Sequence, residues 1–317
     1  MALPLFGADQ IIQDIVVTPN FSTYFLKFDI NDDGKPIYPY NKLTTLLFDA
    51  IHEFAFGLHE GLVTDNTQTL KKLKEAAKLI YKIKPFQDVK EIYEKDEVID
   101  DSVTDSILRR GEFGELILHV LLRDFYKTVP LLSKIYFKDS LGLAVHGFDA
   151  IHIDPSTKTL WLGESKIYTN GQQGIKALVE DIKAHIKVDF LESEFLLVSK
   201  KVALCQYVAE KEYWENFLTS RFSLKDVIQQ INIPLLLTYT GDIYTSHSEE
   251  TNEFLTDFKL EVTKLQEYFD SINNHPLKDK LNIILLIFPV KCKKKLVKRL
   301  HNNLYKIQSI NEEGNDD

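Results

Sequence analysis

Residues 147–168, GFDAIHIDPSTKTLWLGESKIY, constrain the fold more than any other stretch of the chain. Two apolar alternating runs flank DPSTKT, and its Asp154, Pro155 and small polar neighbours are turn formers. The pattern predicts an antiparallel hairpin with strands at 149–153 and 160–166. Setting Asp149 opposite Glu164 centres the turn between Ser156 and Thr157. Side chains alternate along a strand, so Asp149, Ile151 and Ile153 share a face with Leu160, Leu162, Glu164 and Lys166. That face is apolar near the turn and charged at its far end. An unpaired polar group in apolar surroundings costs roughly 2–7 kcal/mol, and a charge costs more, so these three charges need partners or a purpose.

Two opposed carboxylates destabilise a sheet and raise each other's pKa unless a cation lies between them. A divalent ion resolves the conflict, because Asp and Glu oxygens are the ligands that Mg²⁺ or Mn²⁺ prefers. Lys166, two residues after Glu164, points at the same place. It would bind a phosphate oxygen or orient an attacking water, and a metal beside it favours its deprotonated, acid/base form. Without such chemistry the same residues are a surface Glu–Lys pair and a turn-adjacent Asp, which contribute little. A third acid is available in GEFGELILHVLLRDFY (111–126). There, Glu112 and Glu115 lie on one side of an expected helix whose Phe113, Ile117, Val120, Leu121 and Phe125 form a buried surface. Glu112 also suits the first turn as a dipole stabiliser. Glu115, deeper in the helix, is the preferred third carboxylate.

Elsewhere, periodicity predicts a strand in FSTYFLKFDI and a helix in KLTTLLFDAIHEFAFG, then a Lys-rich helix around TLKKLKEAAKLIYKI. An acidic connector, KEIYEKDEVIDDSVTDS, separates a region at 1–104 from one at 105–317. DINDDGKPIYPY places Asp29, Asn31, Asp33 and Gly34 like the start of a calcium loop, but Tyr40 stands where the bidentate Glu belongs and Pro36 interrupts it, so a hairpin turn is expected. A strand is expected near LSKIYF. QGIKALVEDIKAHI reads as a helix with Ile175, Leu178, Val179, Ile182 and Ile186 on one stripe. VDFLESEFLLVSKKVALCQYV suits a helix better than a short strand, within a helical insertion at about 189–230. The runs 232–240 and 282–290 read as buried strands.

Three features limit function. The net charge of −9 argues against coating nucleic acid by bulk electrostatics. Even so, Lys291, Lys293, Lys294, Lys295, Lys298 and Arg299 form a basic patch, read either as a solvated helix face or as a phosphate-contacting surface. Cys205 and Cys292 are far apart and outside any Cys/His cluster, so neither zinc nor a disulfide framework is expected. No apolar run of about 18 residues predicts a membrane span, and the N-terminal residues lack the pattern of a signal peptide, so the expected location is the cytoplasm, with no membrane partner.

At the residues singled out above, the chain resembles the PD-(D/E)XK nuclease superfamily, with its core of helix, three strands, helix and strand. The resemblance implies an α/β fold with a mixed sheet and an N-terminal α+β extension. It places the superfamily's acid and ExK motif at Asp149, Glu164 and Lys166, with Glu115 as the acid of the leading helix; Phe148 replaces the namesake proline. More specifically, RRGEFGELILHVLL, HGFDAIHID and LWLGESKIYTNGQQGIKALVEDIKAHI resemble the HamA family, the nuclease subunit of Hachiman antiphage defence. That resemblance implies a Mg²⁺- or Mn²⁺-dependent deoxyribonuclease restrained by a HamB-like superfamily 2 helicase until infection is sensed. It implies Asp149, Glu164, Glu115 and the Ser165 carbonyl as metal ligands. Gln172, Gln173 and Lys176, at the start of the following helix, would touch DNA phosphates. The alternatives are a non-catalytic nuclease-fold adaptor that binds helicase and DNA, and a repair or junction nuclease.

Overall fold

The structure, a computed structural model, describes residues 5–61, 68–80, 111–133, 147–204, 210–219 and 224–310. The first part comprises β1 (Ile12–Thr18), β2 (Phe21–Leu26), β3 (Asp29–Ile30), β4 (Pro36–Ile37), α1 (Tyr40–Gly61) and α2 (Thr69–Ile80). Next come α3 (Gly111–Asp124), β5 (Val129–Ser133), β6 (Ala150–Asp154), β7 (Thr159–Tyr168) and α4 (Gly171–His185). The helices α5 (Val188–Leu204), α6 (Lys211–Thr219) and α7 (Leu224–Val227) precede β8 (Ile231–Thr240). The chain continues through α8 (Ile243–Ser246), α9 (Asn252–Ile272), β9 (Asn282–Val290) and α10 (Lys293–Ser309).

Seven strands form one mixed sheet in the order β1-β2-β9-β8-β7-β6-β5. β2, β9, β8 and β7 run parallel, while β1, β6 and β5 join antiparallel. The apolar runs of β8 and β9 occupy the middle, where both faces are covered and alternation has no use; every residue of β8 but Thr240 is buried. The expected strand near LSKIYF starts three residues earlier than its quoted segment, at Val129, and 134–146 lie outside the described residues. The stretch beginning at Val188 is helical, with Leu191, Val198 and Val202 buried. The connector ending near residue 104 lies outside the described residues, but the elements on either side of it share one core. β2 pairs with β9, Phe21 beside Leu285 and Thr23 beside Ile287.

Glycines show which helix covers which face. A Cβ on Gly163 would sit 2.8 Å from Leu118 Cδ2, and one on Gly114 would sit 3.2 Å from Ser165 Oγ, so α3 lies against the odd-numbered face of β7. A Cβ on Gly174 would be 2.3 Å from Leu237 Cδ1, and Leu237 pairs with Lys166, so α4 covers the even-numbered face. The helix α3 is buried almost all round, a departure from the one-sided surface its periodicity suggests. Polar groups on it therefore need internal partners. Arg123 Nε donates to Glu53 Oε1 on α1 at 2.6 Å, and His119 Nδ1 lies 3.3 Å from His152 Nε2 on β6.

DINDDGKPIYPY forms the expected hairpin: β3 pairs with β4, Asn31 Oδ1 accepts from the amides of Asp33 and Lys35, and Asp29 pairs with Lys42 at 2.6 Å. Gly34 turns it with φ +73°, the left-handed region that favours glycine. No helix among the described residues is long and apolar enough to cross a membrane.

Candidate active site

The β6–β7 hairpin has the register read from the sequence, from Ala150 beside Gly163 to Asp154 beside Thr159. Asp154 closes the turn, its carboxylate accepting from Ser156 N at 2.8 Å and from the hydroxyls of Ser156 and Thr157 at 2.6 and 2.7 Å. At the other end the ladder stops one residue before the expected acid pair. Asp149 is a bend, and its N–H donates to the Gly163 carbonyl at 2.9 Å. Its Oδ2 accepts from Ser165 N at 2.9 Å and Ser165 Oγ at 3.0 Å. The bend turns this carboxylate onto Ser165, where two donors stabilise its negative charge.

Glu164 and Asp149 are 2% and 4% exposed, so both acids lie inside the protein and not at the mouth of its core. Helix α4 supplies the partners. His185 Nδ1 lies 2.5 Å from Glu164 Oε1, and one turn earlier Asp181 forms an ion pair with Lys166. His185 is held between aromatic rings: it stacks on Phe190 of α5 at 4.7 Å and meets the edge of Phe148 at 5.7 Å. For Lys166, burial disfavours the cation, but Asp181, Asp149 and Glu164 together outweigh it and raise the pKa above the ordinary lysine value. Without a metal, Lys166 is a cation among three carboxylates.

Other predicted residues divide. Glu115 is buried on α3 immediately after Gly114, the residue that contacts Ser165; Glu112 is half-buried in the first turn. Gln172, Gln173 and Lys176 are exposed in the first two turns of α4, where Asn170 Oδ1 caps the Gln173 amide at 3.0 Å. At ~1.5 Å per residue, Gln173 stands about 18 Å along the helix from His185. The fold thus gathers Asp149, Glu164 and Lys166, keeps Glu115 buried on α3, the helix that covers the Ser165 side of β7, and leaves the two glutamines at the far end of α4.

Three neighbours were missed in the sequence: Asp181, His185 and Glu194. The first two are four apart, hence on one side of α4, a spacing readable once the helix is accepted. Glu194 gave no signal. It is buried on α5 against Gly147, where an added Cβ would meet its Oε2 at 2.8 Å.

The donor set suits a hard cation in part. Mg²⁺ commonly takes one or two protein carboxylates and completes its shell with waters and substrate phosphate oxygens, and Asp149 and Glu164 are such donors. Among the described residues no group of three or more His, Cys, Asp or Glu side chains is arranged to hold a metal. The residues therefore fit a two-carboxylate site that shares its ion with substrate, not an all-protein cage.

A model of the HamA family matches residues 8–304. The chain belongs to the HamA family. HamA is a component of Hachiman antiphage defence, and that is the biological setting of this chain. No curated protein matches it. In this HamA-family chain the matched span includes every strand of the seven-stranded sheet and every candidate residue from Glu112 to Glu194.

Proposed function

We propose that this HamA-family protein is a metal-dependent deoxyribonuclease with a PD-(D/E)XK core, its activity restrained by a HamB-like superfamily 2 helicase. The observation that carries the reading is Lys166, a half-buried cation paired with Asp181 and set beside the buried Asp149 and Glu164 at the open end of a hairpin. The element order α3, β5, β6, β7, α4, then β8 after three further helices, supports the core assignment. Membership of a defence family supports a destructive activity that needs a restraint.

Asp149 and Glu164 would hold Mg²⁺ or Mn²⁺, with the Ser165 carbonyl as a further donor and waters and phosphate oxygens completing the shell. The ion supplies Lewis-acid stabilisation of phosphate charge and a lower pKa for a coordinated water. Ser165 orients Asp149 through its amide and hydroxyl. His185 orients Glu164. Lys166, held by Asp181, donates to a non-bridging phosphate oxygen and offsets the charge that builds there. The charged end of the hairpin thus has a use that an ordinary surface Glu–Lys pair lacks.

The test is nicking of supercoiled plasmid by the purified protein, alone and with its helicase partner, in Mg²⁺ and in EDTA. Glu164→Ala and Lys166→Ala, shown to be folded by circular dichroism, should abolish nicking; full cleavage by both overturns the assignment. A non-catalytic adaptor is the second reading, favoured by the absence of a three-ligand cluster among the described residues. It requires DNA or helicase binding with no turnover in either metal.

A further inference from the structure

The sequence left the basic patch after β9 with two readings, a solvated face or a phosphate-binding one. The tertiary structure adds a second basic helix beside it. Gln308 Nε2 of α10 donates to the Ala77 carbonyl of α2 at 2.9 Å, and Lys74 of α2 donates to the Ile310 carbonyl just past α10. Their shared seam is apolar, with Ala76, Ala77 and Ile80 of α2 and Leu300 and Leu304 of α10 buried.

The outward faces are basic. Lys295, Arg299, Asn302 and Lys306 recur at i, i+4, i+7 and i+11, which places them in one stripe along α10. The three cations in it are exposed, and so are Lys71 and Lys78 of α2. Helix α10 contains five lysines, one arginine and no acid; α2 contains four lysines and only Glu75. The packed pair therefore carries a formal charge of +9 in a chain whose total is −9. A solvated helix of an acidic protein has no need of such segregation, since mixed charges keep a surface soluble equally well.

One end of the pair lies beside the strand that carries the candidate site. Lys293, at the start of α10, places Nζ 5.9 Å from the centre of the Tyr168 ring, at the end of the strand that carries Glu164 and Lys166. From there α10 runs on for 17 residues, about 25 Å at ~1.5 Å per residue. The stripe from Lys295 to Lys306 spans about 16 Å of it at ~1.5 Å per residue, which matches the rise of roughly five base pairs at ~3.4 Å each.

We propose that the outer faces of α2 and α10 form an exosite for the phosphate backbone of duplex DNA, separate from the carboxylate site and leading away from it. Affinity there comes from cations meeting phosphates and releasing counterions, so it is independent of sequence and steep in salt. This resolves how a chain with net negative charge engages a polyanion: the binding charge is gathered on one two-helix surface. The proposal concerns binding and stands whether or not the chain hydrolyses DNA.

The test uses the full-length protein in EDTA, so that cleavage plays no part, with fluorescence anisotropy of a labelled 30-base-pair random-sequence duplex. Lys71→Ala/Lys295→Ala/Lys306→Ala removes three exposed cations from the pair. The control, Lys259→Ala/Lys264→Ala/Lys278→Ala, removes the same charge from exposed positions on and just after α9. The stripe variant should bind about tenfold or more weakly, with the slope of log K against log salt shallower by about 0.9 for each phosphate that is no longer neutralised. The control should bind like the parent. Equal losses in both variants would reduce the effect to bulk charge and overturn the proposal. Unchanged binding in the stripe variant would also overturn it and leave an acidic protein surface as the occupant. Charge reversal to Glu at the same three positions, with an unchanged melting temperature, guards against misreading a folding defect.

Discussion

His185 Nδ1 lies 2.5 Å from Glu164 Oε1, so the last turn of α4 is fastened to the strand that carries the candidate acid. A carboxylate that is 2% exposed relies on such partners, because removing one leaves an acceptor desolvated. His185→Ala is expected to cost about 1–3 kcal/mol and His185→Asn distinctly less, measured by urea unfolding. Equal losses would show that packing against Phe190, not the bond to Glu164, is what His185 contributes.

Lys166 offers a way to separate its two readings. A residue acting as a fixed cation tolerates Arg, whereas one that must give up its proton does not. Lys166→Arg is expected to keep plasmid nicking within about tenfold of the parent, and Lys166→Gln to lose about 10²-fold or more. Single-turnover nicking in Mg²⁺ measures both, and total loss in the Arg variant would restore the acid/base role.

His152 makes stability depend on pH. Burial disfavours its cation, and His119 and Arg123 add repulsion, so its folded pKa lies well below the usual imidazole range. Its hydrogen bonds agree: the Thr128 hydroxyl donates to the Leu122 carbonyl at 3.0 Å, so it accepts from His152 Nδ1 at 2.8 Å and leaves Nε2 as an acceptor towards His119. Below about pH 6.5 the unfolded chain takes up a proton that the folded protein refuses. Stability is therefore full above that pH and falls by about 1.4 kcal/mol per unit as pH drops below it. Unfolding free energies at pH 7.5, 6.5 and 5.5 should show this slope, and its reduction in His152→Gln assigns it.

Glu53 acts in the same direction at lower pH. Burial raises its pKa, but His119 and Arg123 more than offset this, so the folded value is depressed. Its contribution is present above the ordinary Glu range and lost as pH falls through the folded value. Glu53→Ala leaves Arg123, which is 2% exposed, without this carboxylate and is expected to cost about 3–5 kcal/mol. A loss below 1 kcal/mol in thermal unfolding would show that the Arg123 bond to the Thr128 carbonyl suffices.

Close approach of α4 to the sheet depends on Gly174. An alanine there would place Cβ 2.3 Å from Leu237 Cδ1 in a fully buried position. Overpacking of this kind costs about 1–3 kcal/mol, opposed by about 1 kcal/mol of better helix propensity, so Gly174→Ala should lower the melting temperature. A rise would mean that Leu237 repacks freely.

The sequence alone determined the pieces whose cause is local. Turn chemistry at Asp154–Thr157 and strict alternation on both sides fixed the register of β6 on β7, and helical spacing fixed the buried stripe of α4 from Ile175 to Ile186. The apolar runs of β8 and β9 declared buried strands because a parallel strand covered on both faces has no polar side to show. Only the tertiary structure decided what meets across distance. The parallel pairing of β2 with β9, the bend that turns Asp149 onto Ser165, and the arrival of Glu194 leave no periodic trace, and the spacing of Asp181 and His185 shows that they share a side of α4 but not what they meet. A carboxylate or imidazole reads alike in sequence whether it faces water or a buried charge. Its role follows from which element packs against it, and that choice is made by burial of the whole sheet, not by the residues beside it in the chain.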